Sequence, residues 1–424
     1  MRIEKRAAKP VYLDEKKGRL PLFFLYLCVM RKFVLFIFLF VALGLYAARH
    51  TTVIVSLDGF RWDYPQMYDT PFLDSLGRRG IRAVMRPSFP SKTFPNHYTL
   101  ATGLVPDHHG IIANKFYDVA SGRTFSIGDK MTGKDGSFYG GEPIWLTARR
   151  QGIRVGVVYW PGSDVAIREQ YPDYYHDYAK KPLLTYSERL DEVERLLTMP
   201  QDRRPQLVML YFDEPDSSGH RYGPASHETR QAVEKLDSLL AVLYNRLRAL
   251  PEGEDINFIV TSDHGMTATS PERIIRLSEY LQPDWCERVL ADLPTLIFPK
   301  AGHEDDILKA LERVPHLRVW HREDVPAYLR YGSNPNVAPI VALPDNGWLV
   351  SEDGRVKPGN HGFDPTASDL YVPFRAEGPN FKRGYVRTEL FDNTCIYPLL
   401  AYLLDIEPAP CDGNLDQVSD LLEP

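Results

Sequence analysis

Four short runs of β-branched and aliphatic residues constrain this chain more than any other feature: 51–57 (TTVIVSL), 153–159 (IRVGVVY), 207–212 (LVMLYF) and 256–261 (INFIVT). Each has the length and composition of a buried strand, and the first is closed by Asp58-Gly59. Between them lie helical patterns. The clearest, across 229–250, spaces Val233, Leu236, Leu240, Leu243 and Leu247 by threes and fours into one apolar stripe. Strands alternating with such helices predict an α/β fold, a mostly parallel central sheet with helices on both faces. Sheets of this kind bind ligands beyond the carboxyl ends of their strands, and Asp58, Asp216 and Asp263 fall just past three of those ends.

From about 271 to 359 the pattern changes. Pro283, Pro294, Pro299, Pro315, Pro326, Pro335, Pro339 and Pro344 interrupt short strand-like pieces such as 317–320 and 347–351. This reads as a smaller α+β insertion, since His361 lies beyond it and must return to the site. The expected layout is a leader over 1–48, then one body over 49–424 with 271–359 inserted.

The leader reading rests on Met30-Arg31-Lys32, an apolar run from Phe33 to Tyr46, and Ala47-Ala48 at a plausible cleavage point. Met30 is then the true start and the product is periplasmic or secreted. An uncleaved membrane anchor is the alternative, and it would be the chain's only tie to a membrane. With 424 residues, 44% of them hydrophobic, the chain can build a large core. A net charge of −6 excludes the basic footprint of a duplex-binding protein, so a phosphate substrate would be met by local cations. In an oxidising compartment Cys395 and Cys411 are close enough in sequence to bridge around the last helix, leaving Cys286 alone.

The chemistry-bearing residues are Asp58, Thr93, Asp216, His220, Asp263, His264 and His361, most of them after an apolar run or beside a glycine. Asp216 and His220, four apart, can converge on one ion; Asp263 and His264 sit side by side at a strand-to-loop turn. Mixed carboxylate and imidazole donors favour zinc over the all-oxygen shells of magnesium or calcium. Two ligand sets sharing one hydroxyl suit two-metal phosphoryl transfer with an activated threonine. Pro95 suits a first helical turn, which would put Thr93 at a helix N-terminus, where free amides favour an oxyanion. An ordinary capping threonine is the plainer reading of the same position.

The chain resembles the nucleotide pyrophosphatase/phosphodiesterase family of the alkaline phosphatase superfamily. The resemblance runs from Val53 to about Pro410 and rests on SLDGFRWDY (Ser56–Tyr64), PSFPSKTFPNHYTLATGLVPDHHGII (Pro87–Ile112), WPGSD (Trp160–Asp164), EPDSSGHRYGP (Glu214–Pro224), SDHGM (Ser262–Met266) and GNHGFD (Gly359–Asp364). It implies an alkaline-phosphatase-like fold and a bacterial-type catalytic domain without further modules. It also implies two zinc ions, one on Asp58, Asp263, His264 and the Thr93 oxygen, the other on Asp216, His220 and His361. Thr93 would attack phosphorus in line and become a phosphothreonine, which water then hydrolyses. Asn114 would hold a phosphoryl oxygen, and Phe94 and Tyr178 would sandwich a nucleobase, with Tyr174 or Tyr175 able to replace Tyr178. Lys92 would meet a further phosphate or stand in solvent.

The expected activity is release of nucleoside 5′-monophosphates from small nucleotide substrates, with no duplex nucleic acid as partner. A lipid-headgroup phosphodiesterase or a phosphomonoesterase on the same scaffold is the alternative, the latter disfavoured by the absence of arginine from the nucleophile motif. A membrane-bound phosphoethanolamine-type transferase would need several spanning helices, where the leader offers at most two short ones.

Overall fold

A computed structural model describes residues 50–423. The leader and its cleavage point lie outside those residues, as does Cys28. Among the described residues no helix is long and apolar enough to cross a membrane.

Among the described residues the central sheet has nine strands: β1 (Thr51–Leu57), β2 (Ile81–Arg86), β3 (Val155–Val158), β4 (Tyr174–Tyr175), β5 (Leu207–Phe212), β6 (Ile256–Thr261), β7 (Val372–Glu377), β8 (Tyr385–Val386) and β9 (Phe391–Asp392). They run in the order β8-β2-β7-β6-β1-β5-β3-β4, with β9 also along β2. All pairings are parallel except those of β7, which lies antiparallel to β2 and β6. The sheet is therefore mostly parallel, and all four strand-like runs lie in it. The run 153–159 forms the shorter β3 because Tyr159 turns into the left-handed region at φ 64°.

Both faces of the sheet are buried, and alternation along β1 shows it. Ile54 packs into one apolar cluster with the helices Thr93–Thr102, Ile144–Arg150 and Ile396–Leu403. Val53, Val55 and Leu57 pack into another with Pro71–Arg79, Tyr186–Leu197 and His227–Arg248. The five residues of the predicted stripe are all buried on that second face. Each such aliphatic side chain contributes about 1.5–3 kcal/mol by leaving water.

The segment between β6 and β7 carries a separate antiparallel sheet, Cys286–Leu290, Thr295–Pro299, Ile340–Pro344 and Leu317–His321 in spatial order, with the helix Glu304–Leu311 against it. Its two ends are drawn together by a short antiparallel pair, Thr267–Ala268 with Gly359–Asn360. His361 follows directly.

The expected bridge between Cys395 and Cys411 is not formed. Cys286, Cys395 and Cys411 are all free thiols. Cys395 Sγ is directed at the Gln417 side chain (3.4 Å) and Cys411 Sγ at the Gly413 carbonyl (3.5 Å), so sequence proximity does not join the two.

Candidate active site

Strand register assembles the site. Leu57 pairs with Phe212 and Ser56 with Thr261, so β1, β5 and β6 end level with one another. Asp58, the 213–216 loop and Asp263-His264 leave the sheet at one edge. The Asp58 carbonyl accepts the Asp216 N–H (2.9 Å), stitching two of those loops together. Gly59 permits this approach: its φ is +69°, and a Cβ there would lie 2.9 Å from Asp216 Cα. Asp216 opens the helix Asp216–Tyr222, which brings His220 one turn on to within 3.5 Å of the Asp216 carboxylate.

Thr93 is the first residue of the helix Thr93–Thr102, with Lys92 in the capping position. It is thus not a capping threonine, and first-turn N–H groups have no intrahelical acceptor. The Thr93 hydroxyl lies 3.2 Å from His264 Nε2. The loop ahead of it is tied by Asn96, whose amide donates to the Pro90 and Lys92 carbonyls and whose Oδ1 accepts the Ser88 N–H.

Three imidazoles face the centre in one tautomer. Nδ1 of His220 donates to the Gly359 carbonyl, Nδ1 of His264 to the Gly265 carbonyl, and Nδ1 of His361 to the Ser91 carbonyl, each at 2.8 Å. On His220 and His361 Nε2 is then a bare lone pair, and on His264 it faces the carboxylates. His220 Nε2 and His361 Nε2 stand 3.1 Å apart, and the Asp216 carboxylate is 3.5 and 3.4 Å from them. On the other side, His264 Nε2 is 3.0 Å from Asp263 and 3.4 Å from Asp58. Asp58 Oδ1, Asp216 Oδ1 and Asp263 Oδ2 are buried with no hydrogen-bond partner among the described residues.

Converging lone pairs and orphaned carboxylate oxygens repel one another unless a cation lies between them. A tetrahedral shell with metal–ligand distances of about 2.0–2.2 Å has edges of roughly 3.3–3.6 Å, close to these spacings. The residues fit two divalent cations. Asp216 lies within 4.8 Å reach of both donor groups, Asp216–His220–His361 and Asp58–Asp216–His264, although its sequence position suggested only the first.

Without a cation the carboxylates titrate unequally. Burial, with the charges of Asp263 and Asp216 beside it, pushes Asp58 well above the ordinary carboxylate range. Burial also raises Asp216. At Asp263 burial works in the same direction but is outweighed by His264 and His97, so its carboxyl is held well below that range. Burial, with the neighbouring imidazoles, holds His361 well below the ordinary imidazole range and burial lowers His220, whereas at His264 burial is outweighed by the Asp263 and Asp216 carboxylates, which raise it.

Two supporting residues escaped the sequence reading. His97, one turn along the nucleophile helix, accepts the Ser56 hydroxyl at Nε2 (2.9 Å) and donates Nδ1–H to the Thr93 carbonyl (2.9 Å), with Asp263 Oδ2 3.3 Å from the same nitrogen. Its spacing of four from Thr93 was the available signal. Tyr211 donates its hydroxyl to Asp58 Oδ2, and nothing in its apolar run marks it out.

Of the residues expected to touch substrate, Asn114 and Lys92 border this centre. Asn114 Oδ1 accepts the Phe94 N–H (3.2 Å), which leaves its amide hydrogens free for a ligand. Lys92 is not solvated: it is buried, with Nζ 2.7 Å from Asp292, which lies between the strands Cys286–Leu290 and Thr295–Pro299. Tyr174 is bound to the Arg203 carbonyl, and Tyr175 stacks on Tyr171. Tyr178 instead meets the edge of Tyr159, with the ring centres 5.6 Å apart. A cavity of about 590 Å³ opens from the site, bounded by Lys92, Asn114, His220 and His361, with Asp292 and Lys357 across it.

The sequence profile of the type I phosphodiesterase / nucleotide pyrophosphatase family matches residues 52–364. The chain belongs to that family. It is an enzyme of this class, a hydrolase of phosphoric diesters and diphosphates. Human ectonucleotide pyrophosphatase/phosphodiesterase family member 5 is 35% identical over 402 residues, covering 92% of this chain and 83% of the relative. Bovine bis(5′-adenosyl)-triphosphatase ENPP4 is 35% identical, with 87% and 81% covered. The structure of an inactive variant of murine ectonucleotide pyrophosphatase/phosphodiesterase 5 in complex with AMP superposes with a TM-score of 0.83 at 34% identity, over 88% of this chain and all of that one. The fold is therefore that of this family's catalytic domain.

Proposed function

We propose that the protein is an exported, zinc-dependent nucleotide pyrophosphatase/phosphodiesterase that releases nucleoside 5′-monophosphates. The observation that carries this reading is the pair of bare imidazole nitrogens 3.1 Å apart beside orphaned carboxylates, with a threonine hydroxyl 3.2 Å from the second group. Two bound zinc ions would supply Lewis-acid charge at the attacking and leaving oxygens and lower the threonine pKa.

The chain's own groups do the rest. Thr93 Oγ1 forms the bond to phosphorus as the leaving oxygen departs, and the phosphothreonine is then cleaved by water. The Thr93 N–H and the Asn114 amide stabilise the equatorial oxygens as charge develops there. Phe94 and Tyr178 grip the base by stacking, which discriminates little among bases. The AMP bound by the murine relative is a ligand of the class this arrangement suits.

The test is hydrolysis of ATP by protein beginning near Arg49, with and without zinc, with the products resolved. AMP with pyrophosphate supports the reading, whereas ADP with phosphate makes the enzyme a terminal phosphatase. Turnover of glycerophosphocholine or lysophospholipid in place of ATP moves it to the lipid-headgroup branch.

A further inference from the structure

Arg189, on the helix Tyr186–Leu197, is 2% exposed, and no part of the proposed chemistry uses it. Its guanidinium carbon lies 4.9 Å from the ring centres of both Tyr159 and Tyr186 and 5.8 Å from that of Phe212. Its N–H groups are spent on the end of β5 and the loop before its own helix: Nη1 donates to the Tyr211 carbonyl (2.8 Å), Nη2 to Asp213 (3.2 Å) and Nε to the Leu184 carbonyl (3.3 Å). A planar fork caged by aromatic faces is rigid, and lysine cannot reproduce it.

Two parts of the site meet at this group. Toward the metal centre, the Tyr211 it holds by the main chain donates its hydroxyl to Asp58. Toward the substrate, the Tyr159 ring it supports meets Tyr178 edge-on at 5.6 Å. Tyr159 holds a left-handed backbone, φ 64°, that a bulky side chain adopts only where its surroundings enforce it. Its hydroxyl also accepts the Leu184 N–H (3.0 Å), the same residue whose carbonyl Arg189 binds. One turn along the helix, Glu192 pairs with His176 (3.1 Å), fastening the aromatic segment a second time.

We propose that Arg189 is a positioning residue that holds the Tyr178 wall and the strand end bearing Tyr211 and Asp213 in one geometry, so that base and phosphate are presented together. The proposal rests on the nucleotide reading above. It predicts a split that a merely structural arginine would not give. In Arg189→Met, KM for a nucleotide nitrophenyl ester rises about five- to tenfold, KM for bis(nitrophenyl) phosphate stays within about twofold, and kcat falls alike on both. In a Tyr178→Ala background the same substitution leaves the nucleotide KM unchanged, because coupled residues are not additive.

An equal KM rise on both esters, or full additivity with Tyr178→Ala, overturns the proposal. If Arg189→Met is unfolded by circular dichroism, Arg189→Lys is measured in the same way; it keeps the caged charge but loses the fork. Wild-type protein that neither turns over the nucleotide ester nor binds AMP by calorimetry fails the functional reading. Wild type that does both, with Arg189 variants that show no split, fails this proposal alone.

Discussion

The Tyr211 hydroxyl donates to Oδ2 of Asp58 across 2.5 Å, while Oδ1 of the same carboxylate faces the centre without a partner. One oxygen is thereby oriented and the other left available. Hydrogen bonds to a charged acceptor contribute about 1.5–3 kcal/mol. Tyr211→Phe is therefore expected to fold normally and to bind zinc about tenfold more weakly. A competitive chelator titration measures this, and unchanged affinity would show that burial alone orients Asp58.

Thr93→Ala removes the hydroxyl but leaves the helix and the imidazoles in place. Turnover of nucleotide esters should be lost, while zinc stoichiometry and AMP binding persist. Metal analysis and calorimetry on the purified variant separate these outcomes, and retained turnover would refute the nucleophile.

Phe94 is half-buried beside the nucleophile, and its N–H is held by Asn114. Phe94→Ala should raise KM for nucleotides by the equivalent of about 1–3 kcal/mol and change it little for a base-free ester. Equal losses on both substrates would assign the ring to packing.

His109 gives the fold a pH dependence of its own. Burial lowers its pKa to about 3, and the geometry agrees: Nε2 lies 3.1 Å from the Pro95 carbonyl, and Nδ1 accepts the Ile111 N–H (3.2 Å), leaving no room for a second proton. The unfolded chain takes up that proton below about pH 6.5, the folded one only near 3, so stability falls as pH drops between these values, by up to about 1.4 kcal/mol per unit. His109→Gln lacks the uptake. Its stability deficit relative to wild type should shrink by about 2 kcal/mol between pH 7 and 5, measured by denaturant unfolding.

Much of the arrangement could be read from the sequence because it is local. Asp58 and Asp263 follow β-branched runs that can only be buried strands, and Asp216 and His220 have helical spacing. What could not be read depends on register between distant segments. Tyr211 reaches Asp58 because β1 and β5 pair Ser56 with Tyr211, which no motif announces. Lys92 is neutralised by a carboxylate 200 positions away. Tyr159 continues a strand-like run in sequence yet leaves the strand, held by contacts from a helix that comes later in the chain. Cys395 and Cys411 are near in sequence, yet their thiols are directed at Gln417 and at the Gly413 carbonyl and not at each other.

The two-residue pairing of Thr267–Ala268 with Gly359–Asn360 acts as a clasp. The clasp delivers His361, while Leu293 and Leu349 of the looped-out segment pack with Phe363 just beyond it and brace the same corner. Insertions, deletions or exchange within the loop that spare these two contacts would leave the imidazole in place. They would still re-cut the cavity wall at Asp292 and Lys357. Substrate range and metal chemistry can therefore diverge independently in this scaffold, one written in the looped-out cassette and the other in the sheet that closes beneath it.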